Sequence, residues 1–515
     1  MQVVFTDGIG IISRNYLLEL RTLQTIKWNT FMMGISKKVF IRDYSKKMMD
    51  GNAALFIGAG LSRPAGLVDW KELLKEIAED LGLKIEREYD LIALAQYHLN
   101  ERSSRTKLNE KLIEEFTKNA KPTKNHSLIA KLPIHTIWTT NYDTLIEDAI
   151  REEYKHVDVK ITPDNIAQPH PGTDVTIFKM HGDVSQPNNA VLTKDDYEKY
   201  SLKRELFTIR LKGDLTSHTF LFIGFSFSDP NIDYILSRIK NLLGENTPVH
   251  YCIIIKPEQK LKPSPTEKAD FEYELRKLEL RVGDLKRFGI QTVLVDSAGE
   301  ITELLQELNK RAFYNNIFVS GSSESDAPAF SLLRLKRFSN LLGKEIIHRG
   351  YNLVSGYGIG IGSELIVGAL EGAYLTPSNI HERLILRPFP YTIKSSEKKH
   401  IYQEWRKAMI SLTGFSIFLA GNLSIDNDAD VISSDGVWDE FEIATSASIH
   451  TYPIPIGATG FMAAQIWEKV RVDIGNFFGP IDVFNELEIL NNPNQPDSKL
   501  IEAVFNIIDK VRSEE

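Results

Sequence analysis

A chain of 515 residues is too long for one core of ordinary size, so two to four domains are expected. Its 42% hydrophobic and 25% charged residues are those of a soluble globular protein, and a formal charge of −8 with a pI near 5.9 argues against a dedicated nucleic-acid binder, while leaving room for a local basic pocket. The single cysteine, Cys252, excludes an intrachain disulfide and a cysteine-based zinc site, and no apolar run reaches membrane-span length, so no metal, no nucleic acid and no membrane partner are expected.

Residues 1–35 read as an N-terminal extension of undetermined role, with a short helix possible over Tyr16–Ile26 and Met32 or Met33 as alternative starts. Asp7, Arg14, Glu19, Arg21 and Lys27 interrupt its apolar positions, so it does not read as a secretion signal, and a cytoplasmic protein is expected. Phe40, Ile41, Tyr44 and Met48 or Met49 predict a helix over 40–49. Ala53–Ile57 is an apolar run of strand type, turned sharply by Gly58-Ala59-Gly60. Leu73, Leu74, Ile77, Ala78 and Leu81 predict one amphipathic helix over 70–81, and further helices follow over 91–100, 107–116 and 125–131. Ile134–Thr140, rich in β-branched and aromatic residues, predicts a buried strand that delivers Asn141 and Asp143. A helix over 144–153 precedes a strand over 176–180 that delivers His181. Residues 195–211 read as helix bent near Ser201, and 219–224 as a strand running into Gly224-Phe225-Ser226-Phe227-Ser228-Asp229-Pro230. A helix over 231–243, a strand over 250–255, a proline-bearing surface loop over 256–270, a helix over 271–287, a strand over 292–295 and a helix over 301–312 complete this half.

The chain then restarts. A strand over 316–319 leads into Ser320-Gly321-Ser322, and a helix over 332–349 precedes a strand over 352–354 that enters Ser355-Gly356-Tyr357-Gly358-Ile359-Gly360-Ile361-Gly362-Ser363-Glu364. Helices over 365–372, 402–412 and 438–447 alternate with strands over 384–387, 415–420 and 453–456. Strands alternating with helices imply parallel sheets with crossover helices. The expected fold class is therefore α/β, with two Rossmann-like doubly wound parallel-sheet domains over 36–312 and 313–515.

Strand, glycine turn and helix form the arrangement that holds a dinucleotide pyrophosphate, because glycine lets the backbone approach the phosphates and free N–H groups supply donors. The Gly58 turn, Thr139-Thr140-Asn141-Tyr142-Asp143, Lys179-Met180-His181-Gly182-Asp183 and the Gly224 stretch all fall at the carboxyl ends of predicted strands, where ligands bind in such sheets. Asp143 either serves that site or caps the helix after it, and Ser226 is either a contact or an ordinary turn serine. Asp229 with Pro230 reads as a helix start, His135 as a core histidine and His126 as a helix-start residue.

Gly58-Ala59-Gly60-Leu61-Ser62, Thr140-Asn141-Tyr142-Asp143, His181-Gly182-Asp183 and Gly224-Phe225-Ser226 together resemble the sirtuin-type NAD-binding fold in order and approximate spacing. That resemblance implies NAD+ as substrate, with Gly58, Ala59, Gly60 and Ser62 on the phosphates and Asn141 on the ribose or a water. It also implies His181 as general base, Asp143 orienting the constellation, and Gly224 and Ser226 near the adenosine. The four zinc-ribbon cysteines of sirtuin deacylases are missing, which favours NAD hydrolysis over protein deacylation.

Residues from about 315 to 481 resemble the SLOG family of nucleotide-derivative sensors, carried by Ser320-Gly321-Ser322, the 355–364 glycine stretch and Arg387-Pro388. The hydrolase motif of the related phosphoribohydrolases is absent around Gly421-Asn422, so binding without catalysis is implied. Gly321, Ser322, Gly358, Gly360, Gly362, Ser363 and Glu364 would cradle phosphate, Arg387, Arg406 and Lys407 would pair with it, and Glu440 would accept ribose hydroxyls. Arg406 and Lys407 read equally as a solvated helix face.

A sirtuin-type domain followed by a SLOG domain resembles the effector family of the Thoeris antiphage systems, over nearly the whole chain after residue 35. Membership implies a homotetrameric NAD+ hydrolase gated by a cyclic ADP-ribose isomer from a TIR-domain partner protein. A non-catalytic nucleotide sensor is the alternative of a different class, and the Asn141–His181 pairing speaks against it.

Overall fold

The computed structural model describes residues 34–227, 229–260, 263–375, 383–389, 395–424, 431–433, 435–446 and 449–514. The extension expected over 1–35 falls almost wholly outside them, as does Ser228. The chain forms two compact units that divide between Gln306 and Glu307.

The first unit is built on seven parallel strands: β1 (Ala53–Ile57), β2 (Thr136–Thr139), β3 (Val157–Lys160), β4 (Val175–Lys179), β5 (Thr219–Ile223), β6 (His250–Ile255) and β7 (Ile290–Val295). They lie in the order β3-β4-β2-β1-β5-β6-β7. The chain leaves β1 toward β2 and later returns to its other side at β5, so the β1–β5 border is the topological switch point, where open sheets bind ligands. Every residue of β1, β2 and β5 is buried, as expected of strands covered on both faces. Trp138 anchors β2: its indole stacks on Phe178 at 4.4 Å, and its N–H donates to Asp214 at 2.9 Å.

Between β1 and β2 the chain inserts a helical layer that includes Leu91–Arg102, Thr106–Phe116 and Lys124–Lys131. Leu74, Ile77, Ala78, Ile85, Leu94, Ala95 and Leu108 give it a small core of its own. A second cluster, Leu73, Leu112, Tyr142, Ala190 and Leu192, packs it against the loop that follows β2.

Several expected elements differ. The single helix over 70–81 is two, Trp70–Leu73 and Lys75–Asp80, breaking at Leu74, whose backbone leaves helical geometry at φ −91°, ψ 3°. The loop expected over 256–270 gives way to helix Pro265–Arg287, because Pro265 occupies the first helical position and Ser264 with Glu267 forms a capping box. Strand β3 had no counterpart in the sequence reading. Its buried residues are Asp158 and Lys160, paired at 2.7 Å, so its pattern does not announce an apolar face.

The second unit has a five-stranded parallel sheet: β8 (Asn316–Ser322), β9 (Asn352–Ser355), β10 (Leu384–Leu386), β11 (Phe415–Ala420) and β14 (Tyr452–Pro455), in the order β10-β9-β8-β11-β14. Its switch point is the β8–β11 border. A short antiparallel pair, β12 (Asn422–Ser424) and β13 (Val431–Ser433), follows β11. Helices Phe461–Val472, Phe484–Leu490 and Asp497–Glu514 close the unit, beyond the last expected strand.

Candidate functional site

Register places the site of the first unit. Ile57 of β1 pairs with Thr139 of β2 and with Ile223 of β5, and Thr139 pairs with Lys179 of β4. Gly58 and Gly224 lie one residue outward and Asn141 and His181 two, so four strand ends deliver them to one edge of the sheet. Neighbouring strands lie about 4.8 Å apart, which brings Asn141 and His181 to the same level on adjacent strands.

The glycines serve the crossing of two backbones. Gly58 N–H donates to Ile223 O at 3.0 Å and Gly60 N–H to Gly224 O at 2.9 Å. A Cβ on Gly58 would lie 2.4 Å from Gly224 O, and one on Gly224, whose φ is +65°, would lie 2.4 Å from Leu61 N. The turn thus seats on the loop after β5, and Ala59–Leu61 forms one short 3-10 turn. Ser62 is buried behind it.

Asn141 joins this turn to β2. Its Nδ2 donates to Gly58 O at 3.3 Å and to the Ser62 hydroxyl at 3.2 Å. A carbonyl accepts only, so the amide nitrogen must face Gly58 and Oδ1 must face the other way. Oδ1 is buried and has no hydrogen-bond partner among the described residues. An acceptor left bare inside a protein costs free energy unless a ligand or water donates to it.

His181, nearly fully buried, lies with Nε2 2.8 Å from Asp229 Oδ2, a close contact still short of hydrogen-bond alignment. Burial works against the Asp229 carboxylate, but the neighbouring His181 and the N–H groups of Ile232 and Asn231 outweigh it and hold its pKa below the ordinary value. Tyr197 completes the group, its ring edge-on to the imidazole at 5.6 Å.

Beneath these loops Lys179 is fully buried. Its ammonium pairs with Asp183, lies 2.9 Å from Glu147, and donates to the carbonyls of Asp143 at 2.5 Å and Tyr142 at 3.4 Å. Burial disfavours the ammonium, but the two carboxylates prevail and keep its pKa above the ordinary lysine value, while burial pushes Glu147 up. One cation therefore ties the loop bearing Asn141 to the loop bearing His181.

Other expected residues take different places. Asp143 accepts from Leu145 N–H at 3.1 Å, just before helix Leu145–Glu152, whose N-cap residue is Thr144. Ser226 is exposed, and its carbonyl accepts from Arg281. Asp229, Tyr197 and Lys179 were missing from the expected set. The signal for Asp229 was present but read as a cap before Pro230.

In the second unit the loops after β8 and β9 interlock as those after β1 and β5 do. A Cβ on Gly358 would lie 1.8 Å from Gly321 O, and one on Gly360, at φ +81°, 1.8 Å from Ser323 O. Ser322 donates to Asn422 O at 3.4 Å, and Gly362, Ser363 and Glu364 open helix Gly362–Leu375. Glu440 is buried, accepts from the Ser320 hydroxyl at 2.5 Å and lies 3.4 Å from Arg406 Nε; burial raises its pKa. Arg406 also reaches Asp439 at 3.2 Å and sits over the Phe389 ring at 5.3 Å. Lys407 is exposed and pairs with Glu404 of its own helix at 2.8 Å, and Arg387 is exposed with its carbonyl held by Trp405 at 3.1 Å. Asn422, also outside the expected set, is fully buried with Oδ1 unpartnered among the described residues.

Two parallel α/β units, each with glycine loops interlocked at the carboxyl ends of neighbouring strands, define a two-domain nucleotide-binding architecture. Residues 135–282 match the SIR2-like domain, and residues 300–511 match the Sir2- and TIR-associating SLOG family. The chain is 43% identical over 479 residues to the NAD(+) hydrolase ThsA of Bacillus cereus (strain MSX-D12), covering 92% of this chain and 98% of that protein. It is 39% identical over 480 residues to the NAD(+) hydrolase ThsA of Acinetobacter baumannii (strain 532279), covering 92% and 98%. The defense-associated sirtuin 2 of Bacillus subtilis is similar over 242 residues at 26% identity, 45% of this chain and 23% of that protein. The chain belongs to the ThsA family.

Proposed function

We propose that this protein hydrolyses NAD+ to nicotinamide and ADP-ribose in its first unit. We further propose that a cyclic ADP-ribose isomer, made by a TIR-domain partner protein and bound in the second unit, gates that activity in a homotetramer and so depletes NAD+ in antiphage defence. Family membership supports hydrolysis, and the match to a SLOG family supports a nucleotide ligand in the second unit. The observation that carries the reading is the bare Asn141 Oδ1, at the end of the strand next to the one that delivers His181. An unpartnered acceptor is suited to a ribose hydroxyl or an attacking water, and a neighbouring imidazole is suited to taking the proton.

Gly58, Ala59, Gly60 and Ser62 lie where the pyrophosphate would approach, with Gly224 and Ser226 on the facing loop and Asp143 behind Asn141. The cleaved bond leaves an oxocarbenium-like sugar, so the site has to orient water toward C1′ and accept its proton. In the second unit Ser320, Arg406 and Glu440 form the polar group beside the loops of Gly321, Ser322, Gly358, Gly360, Gly362, Ser363 and Glu364, with Arg387 and Lys407 exposed nearby in sequence. The test is NAD+ turnover by the purified full chain, with and without cyclic ADP-ribose isomers. Wild type should release nicotinamide when the ligand is added, and Asn141→Ala and His181→Ala should fall by about 100-fold or more, the usual weight of a general base. Absence of cleavage with every isomer would overturn the proposal.

A further inference from the structure

Asp229 has separate work for its two carboxylate oxygens. Oδ1 accepts from Asn231 N–H at 2.8 Å and Ile232 N–H at 3.2 Å, capping helix Pro230–Leu243. Oδ2 lies 2.8 Å from His181 Nε2, and the Tyr197 hydroxyl donates to the same oxygen at 3.4 Å. The His181 and Asp229 side chains are only 4% and 7% exposed, so water screens the pair little. The edge-on Tyr197 ring limits how the imidazole turns. Capping needs one acceptor oxygen, which Ser or Asn supplies as well as Asp. The second oxygen, 2.8 Å from a buried imidazole nitrogen, is not required by the helix.

We propose that Asp229 is the positioning residue for His181, holding the ring with its proton on Nε2 so that Nδ1 presents the lone pair used as base. The proposal rests on the hydrolase reading above. In the step it serves, water adds to the ribose C1′ as the bond to nicotinamide breaks. The bonding electron pair leaves with nicotinamide, which departs neutral because the pyridinium was cationic, and the proton of the attacking water passes to Nδ1. A carboxylate beside Nε2 fixes the tautomer and offsets the charge that forms on the ring.

Asp229→Asn and Asp229→Ser separate the two jobs, since both side chains cap helices and neither carries charge. In the full-length protein both should melt within about 2 °C of wild type, because the cap is retained. Both should keep KM for NAD+ within twofold and lose about 100-fold in kcat, the scale of a misdirected general base. Nitrogen-15 NMR of histidine-labelled protein, with the His181 signal assigned from His181→Gln, should show the Nε2–H tautomer in wild type and its loss in Asp229→Asn. A kcat within twofold of an active wild type in either variant would overturn the proposal, and so would a wild-type His181 with its proton on Nδ1. If wild type hydrolyses no NAD+, the hydrolase reading has failed and the tautomer still decides whether Asp229 holds the ring. If both variants unfold, the wild-type tautomer again decides.

Discussion

His250 shows how one buried side chain sets a pH dependence. Its Nδ1 accepts the backbone N–H of Phe220 at 3.1 Å, which requires a neutral imidazole, and burial pushes its pKa down to about 4. In the unfolded chain the ring protonates near pH 6.5, so the unfolded state takes up a proton first as pH falls. The contribution is fully present above pH 6.5 and is lost progressively toward pH 4, amounting to about 3 kcal/mol. His250→Asn, which keeps an acceptor near Nδ1 and does not titrate, should lose less stability than wild type between pH 7 and pH 4 in denaturant unfolding. Parallel pH curves for the two proteins would refute the account. At this scale the sequence was only partly readable. Asn141 and His181 stood out because each follows a predicted strand within a motif that resembles the sirtuin-type fold. Asp229 did not, because an Asp before Pro is so often a cap that its second oxygen has no separate signature. Lys179 closes a strand and offers no hint that it is fully buried until β4 is placed against the loops it holds.

Elements here are fixed by close approach as much as by propensity. The Gly58–Gly60 turn and Gly224 each fill the space a Cβ on the other would need. Gly224→Ala adds a left-handed backbone penalty to a 2.4 Å approach on Leu61 N, with no flexible side chain to give way. The expected cost is about 3 kcal/mol, combining a residue forced to positive φ with an overpacked contact. Gly213→Ala is the contrasting case. That glycine lies exposed within helix Glu205–Ser217 with open space around its Cβ position, so alanine should stabilise by about 0.5–1 kcal/mol. Thermal unfolding of the two variants should therefore move in opposite directions, and NAD+ turnover should suffer only at Gly224. Equal melting temperatures would show that the loops tolerate separation. The glycine pattern was legible as a turn, but its partner was not, because the contact joins positions more than 160 residues apart in the chain. Strand β3 was missed for a different reason: it buries an ion pair where a strand pattern leads one to look for apolar residues.

At the scale of the whole molecule, alternating strands and helices made both parallel sheets readable in advance, since periodicity and strand-end glycines need no tertiary information. The proposed gating would depend on something sequence does not display, namely how far ligand in one unit changes affinity in the other. If a cyclic ADP-ribose isomer activates the proposed hydrolase by favouring one arrangement of the chain, linkage requires the effect to be mutual. An NAD+ analogue whose glycosidic bond resists cleavage should tighten binding of the isomer by the same factor that the isomer tightens binding of the analogue. Couplings of this kind commonly amount to about 5- to 150-fold, or 1–3 kcal/mol. Arg406→Ala, which leaves Glu440 with Ser320 but without its guanidinium, should weaken isomer binding and activation together while leaving binding of the analogue alone unchanged. Calorimetry of each ligand in the presence and absence of the other measures both factors. Two unequal factors would mean that a third state or a change in assembly intervenes. Two factors of one, in a protein that the isomer still activates, would place the control on the chemical step and not on NAD+ affinity.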